Sequence, residues 1–580
     1  MIMKIDCKKC IVETFNHARD IIRRTERLAQ EACMEELCKI ILVKLCYERK
    51  NQKVLSFSAL EYTIMEESVD CIYQRLFQTY VPPFLFDGWD RIELKRKTFG
   101  EVITMLEDIN LSEADHIEMG KAFTSFLQVQ YGGYINDYST PDILTRYIFD
   151  VLDMENVINL FDPCSGIGGM LAEAYRHKGE HLMLSGNDIS RTMVNISRLH
   201  LKMYGYQGDN FTCADFTDKR SNNNICYDCI VAHIPTRRQI ISAAHRIKDE
   251  DNYYNFEEFF IKNIINHLKI GGYAAIVVPK DMMEKRDKRY LRHHIMENTE
   301  LVNITQFNDV FYRGHSTPKD YQILFVRKTG NPSYGDGTAT LLNSNDSEDD
   351  IRNAAMWVKA HIKGESSLTE ISTCKYYRYY DVENWNISLL FIRDKIGKKY
   401  EPVLLKDILT KRRDRAQIIQ DKEYDVLRVR RRGLGVEIKR SVLGSSISDT
   451  MFEAKTNDLV ISSFEADMGG LGLVNKDLDG GIVTKDLYLF EVDRQRVDLN
   501  YLLMVLTSEP VQEQLQAMNK REYMLSRISL SNLMSVMIPL PDLDTQKTMA
   551  KELQKYIDKA QKAEDELSEG RKNFRKNLFG

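Results

Sequence analysis

The sequence predicts an α/β chain built on a doubly wound, Rossmann-like sheet, with a helical region before it and a mostly β region ending in a long helix after it. Three observations predict this. A glycine-rich turn sits between an apolar run and a helical stretch at 157–175, and polar strand tips recur after it at helical separations. Beyond residue 403 the pattern changes to short apolar runs separated by Gly-rich turns.

In chain order, apolar positions at helical spacing (Ile11, Phe15, Ile22, Leu28, Leu37, Ile41 and Leu45) predict an amphipathic helical region near the start. The pattern stays helical to about residue 130, with breaks expected at Pro82-Pro83 and around Gly100, and Gly132-Gly133 reads as a hinge. Strands are expected at Val157–Leu160, Leu184–Ile189, Phe211–Phe216, Tyr227–Ala232 and Ile323–Val326. Gly, Asn, Ser and Asp then dominate, which predicts a linker with one helix inside it. The resulting division is 1–130 helical, 131–330 sheet domain, 331–400 linker and connector, 401–541 mostly β, and 542–580 a long helix. In that helix Met549, Leu553, Tyr556, Ala560, Ala563 and Leu567 alternate spacings of four and three, a heptad seam. It suits either packing on its own domain or a coiled coil with a second copy or another subunit.

Bulk properties narrow the classes. At 580 residues the chain exceeds one core, and 43% hydrophobic with 28% charged residues is ordinary for a globular protein. A net charge of -5 argues against a uniformly basic nucleic-acid coat, so any DNA contact must be local. No apolar run is long enough for a membrane span and no signal peptide opens the chain, so no membrane association and a cytoplasmic location are expected. Eleven scattered cysteines fit reduced thiols. Cys7/Cys10 and Cys226/Cys229 are the two Cys-x-x-Cys pairs, but the second falls on an expected core strand and the first near a terminus, so no metal is expected.

The turn Phe161-Asp162-Pro163-Cys164-Ser165-Gly166-Ile167-Gly168-Gly169 carries the chemistry. Glycines there let a ligand approach the backbone and aim helix N-terminal amides at it. Asp162 precedes the turn, and Asp188 follows 26 residues later at the next strand tip, where a carboxylate suits ribose hydroxyls. Asp215 ends the third strand, placed to accept from an adenine amine. These features mark a nucleotide-like site.

Asp-Pro-x-x-Gly-x-Gly-Gly, preceded by Gly133-Tyr134-Ile135-Asn136-Asp137-Tyr138-Ser139-Thr140-Pro141, resembles the adenine-specific DNA methyltransferase subunit of type I restriction-modification systems. The likeness runs from Asp115–Phe123 to Leu268–Pro279, about the first two-thirds of the chain. It implies S-adenosylmethionine as cofactor, held by Thr140, Pro141, Asp162, Gly166, Gly168, Asp188 and Asp215, and an N-terminal helical domain that helps close over DNA. The series Arg527–Leu530, Val536–Pro541 and the long helix resembles one target-recognition module of a type I specificity subunit. The resemblance therefore implies double-stranded DNA as partner, and a single module would pair through the helix, as a homodimer or with a partner subunit, to read a two-part site. Lys411, Arg412 and Arg413, with Arg428, Arg430, Arg431 and Arg432, are the densest basic runs and are expected at phosphates. Between 411 and 440 there are eleven basic and five acidic residues.

One departure matters. The family holds the flipped adenine with an Asn-Pro-Pro-aromatic turn, and here the aligned turn reads His233-Ile234-Pro235-Thr236. His233 and Pro235 remain as the catalytic candidates: a neutral imidazole accepts one hydrogen bond, while Thr236 offers no stacking face. Tyr253, Tyr254 or Phe256 are the nearby candidates for a substitute ring. Two functions follow, a fused modification and specificity polypeptide that methylates adenine slowly, and a non-catalytic homologue that binds cofactor and DNA and acts through partners. Glu93-Leu94-Lys95 and Glu437-Ile438-Lys439 match half of a nuclease pattern only, and no phosphate loop for translocation exists, so cleavage is expected from a separate nuclease subunit.

Overall fold

The computed structural model describes residues 7–56, 68–131, 139–217, 225–235, 247–249, 252–254, 256–284, 288–310, 319–331, 336–365, 369–378, 385–518 and 527–579. They form two units, Met1–Ile387 and Ser388–Gly580.

The first unit begins with helices α1 (Cys7–Glu26), α2 (Gln30–Asn51), α3 (Val69–Tyr80), α4 (Arg96–Leu106), α5 (His116–Tyr131) and α6 (Asp142–Val151). Gly100 lies inside α4 and does not break it, a correction to the reading above. α2 has so many apolar positions that it is buried nearly all round, which traps a Lys44–Glu48 ion pair. That pair is tolerated because Glu48 also accepts the amides of Leu55 (3.0 Å) and Leu111 (2.7 Å), the condition for burying charge.

The sheet follows, with β1 (Asn159–Asp162), α7 (Gly169–Lys178), β2 (Met183–Asp188), α8 (Arg191–Met203), β3 (Asn210–Cys213) and β4 (Tyr227–His233). After α9 (Phe256–Asn266) come β5 (Leu268–Pro279), α10 (Arg289–Asn298), β6 (Thr299–Val310) and β7 (Lys319–Lys328). β8 (Asp336–Asn343), α11 (Glu348–Ile362) and β9 (Cys374–Arg378) complete it. The order across the nine strands is β9-β8-β6-β7-β5-β4-β1-β2-β3. β1, β2, β3, β4 and β5 run parallel, and β7 lies antiparallel to both its neighbours. Sequence order reverses between β1 and β4, so the crevice at their C-terminal ends is where such sheets bind ligands.

β8 and β9 overturn the linker expected over 331–400. Both extend the sheet, β8 parallel to β6 and β9 antiparallel to β8. The N-terminal helices pack on the α8 side, one apolar cluster joining Phe15, Leu37, Phe123 and Phe126 to Ile167, Ile196 and Leu199.

The described residues of the second unit hold three small sheets. β10 (Pro402–Leu404) pairs with β19 (Met537–Pro539); β11 (Leu409–Lys411), β15 (Leu459–Ser462), β16 (Leu471–Leu473) and β18 (Leu487–Val492) form another; β12 (Glu423–Val429), β13 (Val436–Leu443), β14 (Phe452–Glu453) and β17 (Ile482–Val483) form the third. α12 (Leu499–Leu506) and α13 (Glu509–Met518) precede α14 (Leu543–Phe579). The start of α14 is packed: Gln546 accepts the Asp498 amide and donates to the carbonyls of Arg496 and Pro541. Leu553, Tyr556, Leu567 and Phe574 are exposed beyond it.

Candidate active site

The turn between β1 and α7 is shaped by two glycines in the left-handed region, Gly166 (φ 50°) and Gly168 (φ 80°). A Cβ on Gly168 would lie 2.5 Å from Ser197 Oγ and 3.0 Å from Ser197 Cα, so only glycine lets the turn sit this close to α8.

The acidic strand tips converge on that turn. Asp188 accepts the Gly166 amide at 2.9 Å and the Ser190 amide at 2.8 Å, one on each carboxylate oxygen. Asp162 accepts the Cys164 amide at 3.0 Å and is 3% exposed. Burial pushes Asp162 up to about 7, opposed by the Cys164 amide and reinforced by Asp188, and burial raises Asp188 as well. Asn187, which the sequence did not single out, braces three tips at once, donating to Pro163 O (3.1 Å) and Ala214 O (3.0 Å) and accepting from Thr212 Oγ1 (2.8 Å). Asp215 is exposed, and its Oδ1 takes the Thr217 amide and hydroxyl, which closes a local turn.

The end of β4 adjoins this turn. Cys164 Sγ donates to the His233 carbonyl at 3.1 Å, and Thr140 Oγ1 lies 3.2 Å from His233 Nδ1. Thr140 thus meets the β4 turn, while Pro141 caps α6 with its carbonyl accepting Leu144 and Thr145 amides. Tyr321 of β7 packs edge-on to the His233 ring at 5.4 Å. Burial, with Lys319 nearby, pushes the imidazole down to about 4, so it is neutral at physiological pH. Ile234 is 1% exposed and its amide donates to Val277 O, while Pro235 is half-buried. Thr236 and the side chains of Tyr253, Tyr254 and Phe256 lie outside the described residues.

A cationic nucleoside fits these groups. Ser165 Oγ is buried without a partner among the described residues, and the negative charge of the Asp162 carboxylate is disfavoured by burial beside a second acid. An incoming positive charge would compensate the second and a hydroxyl or amine the first. Among the described residues no cluster of His, Cys, Asp and Glu could hold a metal ion; Cys229 is buried on β4 and Cys226 exposed, and the side chains of Cys7 and Cys10 are not described. A separate cavity of 410 Å³, lined by Tyr273, Glu300, Arg327, His361 and Tyr376, lies level with the start of β4 and shares none of these groups. Converging acids and amides, not cavity volume, locate the site.

In the second unit the basic residues divide. Arg412 pairs with buried Asp458 at 3.1 Å and Lys411 lies over the Tyr488 ring at 4.6 Å, so both have partners within the unit. Arg428 and Arg430 share Glu437, and Arg431 pairs with Glu465, all at exposed positions. Such surface pairs are worth about 0–1 kcal/mol and exchange readily for phosphate. Arg413 and Arg432 have no acidic partner among the described residues.

Comparison with known proteins agrees with this geometry. The N-6 DNA methylase family profile matches residues 118–365. The methylase subunit of the type I restriction enzyme MjaVII from Methanocaldococcus jannaschii is 26% identical over 117 residues, 19% of this chain and 20% of that protein's length. Among solved structures, the type IIG restriction endonuclease BpuSI superposes with a TM-score of 0.51 at 12% identity, covering 92% of this chain and 74% of that one. The methyltransferase subunit of a type I restriction-modification system from Streptococcus thermophilus gives a TM-score of 0.48 at 12% identity, covering 66% of this chain and 98% of that one. The fold, a large mixed α/β sheet flanked by helices, is shared with BpuSI over most of this chain. No helix among the described residues is long and apolar enough to cross a membrane.

Proposed function

We propose, supported by the match of residues 118–365 to the N-6 DNA methylase family profile, that this chain is a DNA adenine methyltransferase of restriction-modification type whose second unit supplies sequence recognition. The observation that carries the reading is the braced turn at 162–169, where Asp162, Asp188 and Asn187 converge under two left-handed glycines.

When bound, the cofactor supplies a methyl group on a positively charged sulfur. Asp162, Ser165 and the amides opening α7 are the groups that would hold it, with Asp188 positioned by backbone amides toward a ribose. His233 is the acceptor for the target amine. In the tautomer that donates Nδ1–H to Thr140 Oγ1, 3.2 Å away, Nε2 would take one hydrogen of adenine N6 and so keep electron density on the attacking nitrogen. Ile234 in place of proline and Thr236 in place of an aromatic ring weaken that hold, which predicts slow transfer.

The same turn favours a second reading, a homologue that binds cofactor and DNA and acts only through partners. The exposed seam of α14 (Leu553, Tyr556, Leu567) suits pairing with a second copy or another subunit, and cleavage would come from a separate nuclease subunit. Arg413, Arg428, Arg430, Arg431 and Arg432 are the phosphate contacts proposed on the second unit. Tritiated methyl transfer to mixed-sequence duplex DNA, run beside calorimetric titration with S-adenosylmethionine, separates the readings. Binding with transfer supports the enzyme, binding without transfer supports the non-catalytic homologue, and absence of binding overturns both.

A further inference from the structure

We propose that His200, a buried residue on α8 outside every motif of the site, is a positioning residue that fixes the glycine turn in its cofactor-binding shape. The proposal rests on the reading that residues 162–169 bind S-adenosylmethionine.

His200 is fully buried, with Nδ1 2.8 Å from the Ile167 carbonyl and Nε2 2.7 Å from Thr124 Oγ1. A carbonyl only accepts, so Nδ1 carries the proton. Burial pushes the imidazole down to about 4 and keeps it neutral, so Nε2 is an acceptor and the Thr124 hydroxyl is its donor. Thr124 has a second acceptor in reach, the Gly120 carbonyl at 2.9 Å, but the buried Nε2 has no other donor within reach among the described residues. The Tyr204 hydroxyl, 3.1 Å from Thr124 Oγ1, supplies a proton to that oxygen in turn. The result is a directed chain, Tyr204 to Thr124 to His200 to Ile167.

Its end point is the central residue of the turn. Ile167 stands between the two left-handed glycines, and the peptide joining it to Gly168 is held on both sides: its carbonyl takes the His200 proton and its N–H donates to Ser165 O at 2.7 Å. A peptide held at both edges cannot flip, which fixes Gly168 at φ 80° and the direction of the amides that open α7. Thr124 lies on α5, so the chain also ties the N-terminal helices to the cofactor turn. Gly120 permits this approach, since a Cβ there would fall 2.4 Å from the Tyr204 ring.

Asparagine places an amide N–H where His200 has Nδ1, whereas glutamine places one where it has Nε2. A residue that merely fills the core would not distinguish them. Calorimetric titration of the full chain with S-adenosylhomocysteine should show binding about 30-fold weaker for His200→Phe, restored to within about 3-fold of wild type by His200→Asn, and not restored by His200→Gln. Thr124→Val, which leaves the imidazole in place, should weaken binding about 3-fold. Equal affinity of the Asn and Gln variants, or an unchanged affinity in Thr124→Val, overturns the role of His200 while leaving the cofactor reading intact. Failure of the wild type to bind overturns that reading and this proposal together.

Discussion

Two regions share one edge of the same sheet, the β1–β2 tips and the end of β4, and they differ in what has been kept. At the first, carboxylates, glycines and Asn187 are held by at least six hydrogen bonds to backbone or side chain. At the second, the backbone is also held, with the Ile234 amide on Val277 O and the His233 carbonyl taking the Cys164 thiol, yet His233 and Ile234 stand where the resemblance expects asparagine and proline. The difference teaches that sheet register preserves the frame of a site independently of its chemistry. If the proposed function holds, cofactor binding and methyl transfer should therefore be separable by substitution.

The largest effect should come from repairing the second region. His233→Asn with Thr236→Phe restores an amide acceptor and a stacking face, terms of about 2.7–4 and 1–3 kcal/mol. Allowing for non-additivity between neighbours, methyl transfer should rise roughly 100- to 10,000-fold, measured with tritiated cofactor, while cofactor affinity stays within about 2-fold. Ile234→Pro is best left out, because it removes the amide bond to Val277 O at a cost of about 1 kcal/mol. No gain in transfer would break the comparison, since the frame would then be at fault as well as the side chains.

The converse experiment damages the first region. Gly168→Val forces a β-branched residue into the left-handed region and drives its Cβ against Ser197, so affinity for S-adenosylhomocysteine should fall at least about 100-fold. Unchanged affinity by calorimetry would remove the turn from the site.

Asp162 gives the next effect, through pH. Its native pKa of about 7 lies above the ordinary 3.8, so the folded chain holds a proton that the unfolded chain releases between about pH 4 and 7. Its contribution is thus present at low pH and lost as pH rises through that window. Asp162→Asn should therefore gain stability over wild type as pH rises, by up to about 4 kcal/mol at pH 7 and above, read by urea unfolding. His200 acts in the opposite sense: burial holds it at about 4 against the usual 6.5, so its contribution is lost as pH falls through that range. In the wild type the two slopes oppose one another between about pH 4 and 6.5. A difference between Asp162→Asn and wild type that does not change with pH would mean the carboxyl is already ionised.

Much of the first region was legible in the sequence, because glycine at a strand end and acids at successive tips are local signals. Asn187 was not, since its value lies in reaching Pro163 and Ala214 across three strands. The missed β8 and β9 have a different cause. Asn303, Thr305, Thr338 and Thr340 are buried and bonded to one another, Asn303 Nδ2 donating to Thr338 and Thr340 at 3.0 and 3.1 Å, so this part of the core is polar and hides from a search for apolar runs. Arg412 shows a role that the sequence did not signal. A basic run reads as a solvated or phosphate-binding face, and only the fold reveals the buried Asp458 beneath it.

The smallest effect assigns Thr140 to one region or the other. The family resemblance places Thr140 with the cofactor, whereas the structure sets its hydroxyl 3.2 Å from His233 Nδ1. Thr140→Val keeps the shape and deletes that bond, worth about 1 kcal/mol, so methyl transfer should fall about 5-fold. If the hydroxyl only selects the imidazole tautomer, cofactor affinity should not move, and the loss should disappear when Thr140→Val is combined with His233→Asn. If it touches the cofactor, affinity should fall by the same factor in both backgrounds. The double-mutant comparison thus decides where on the sheet edge binding ends and chemistry begins.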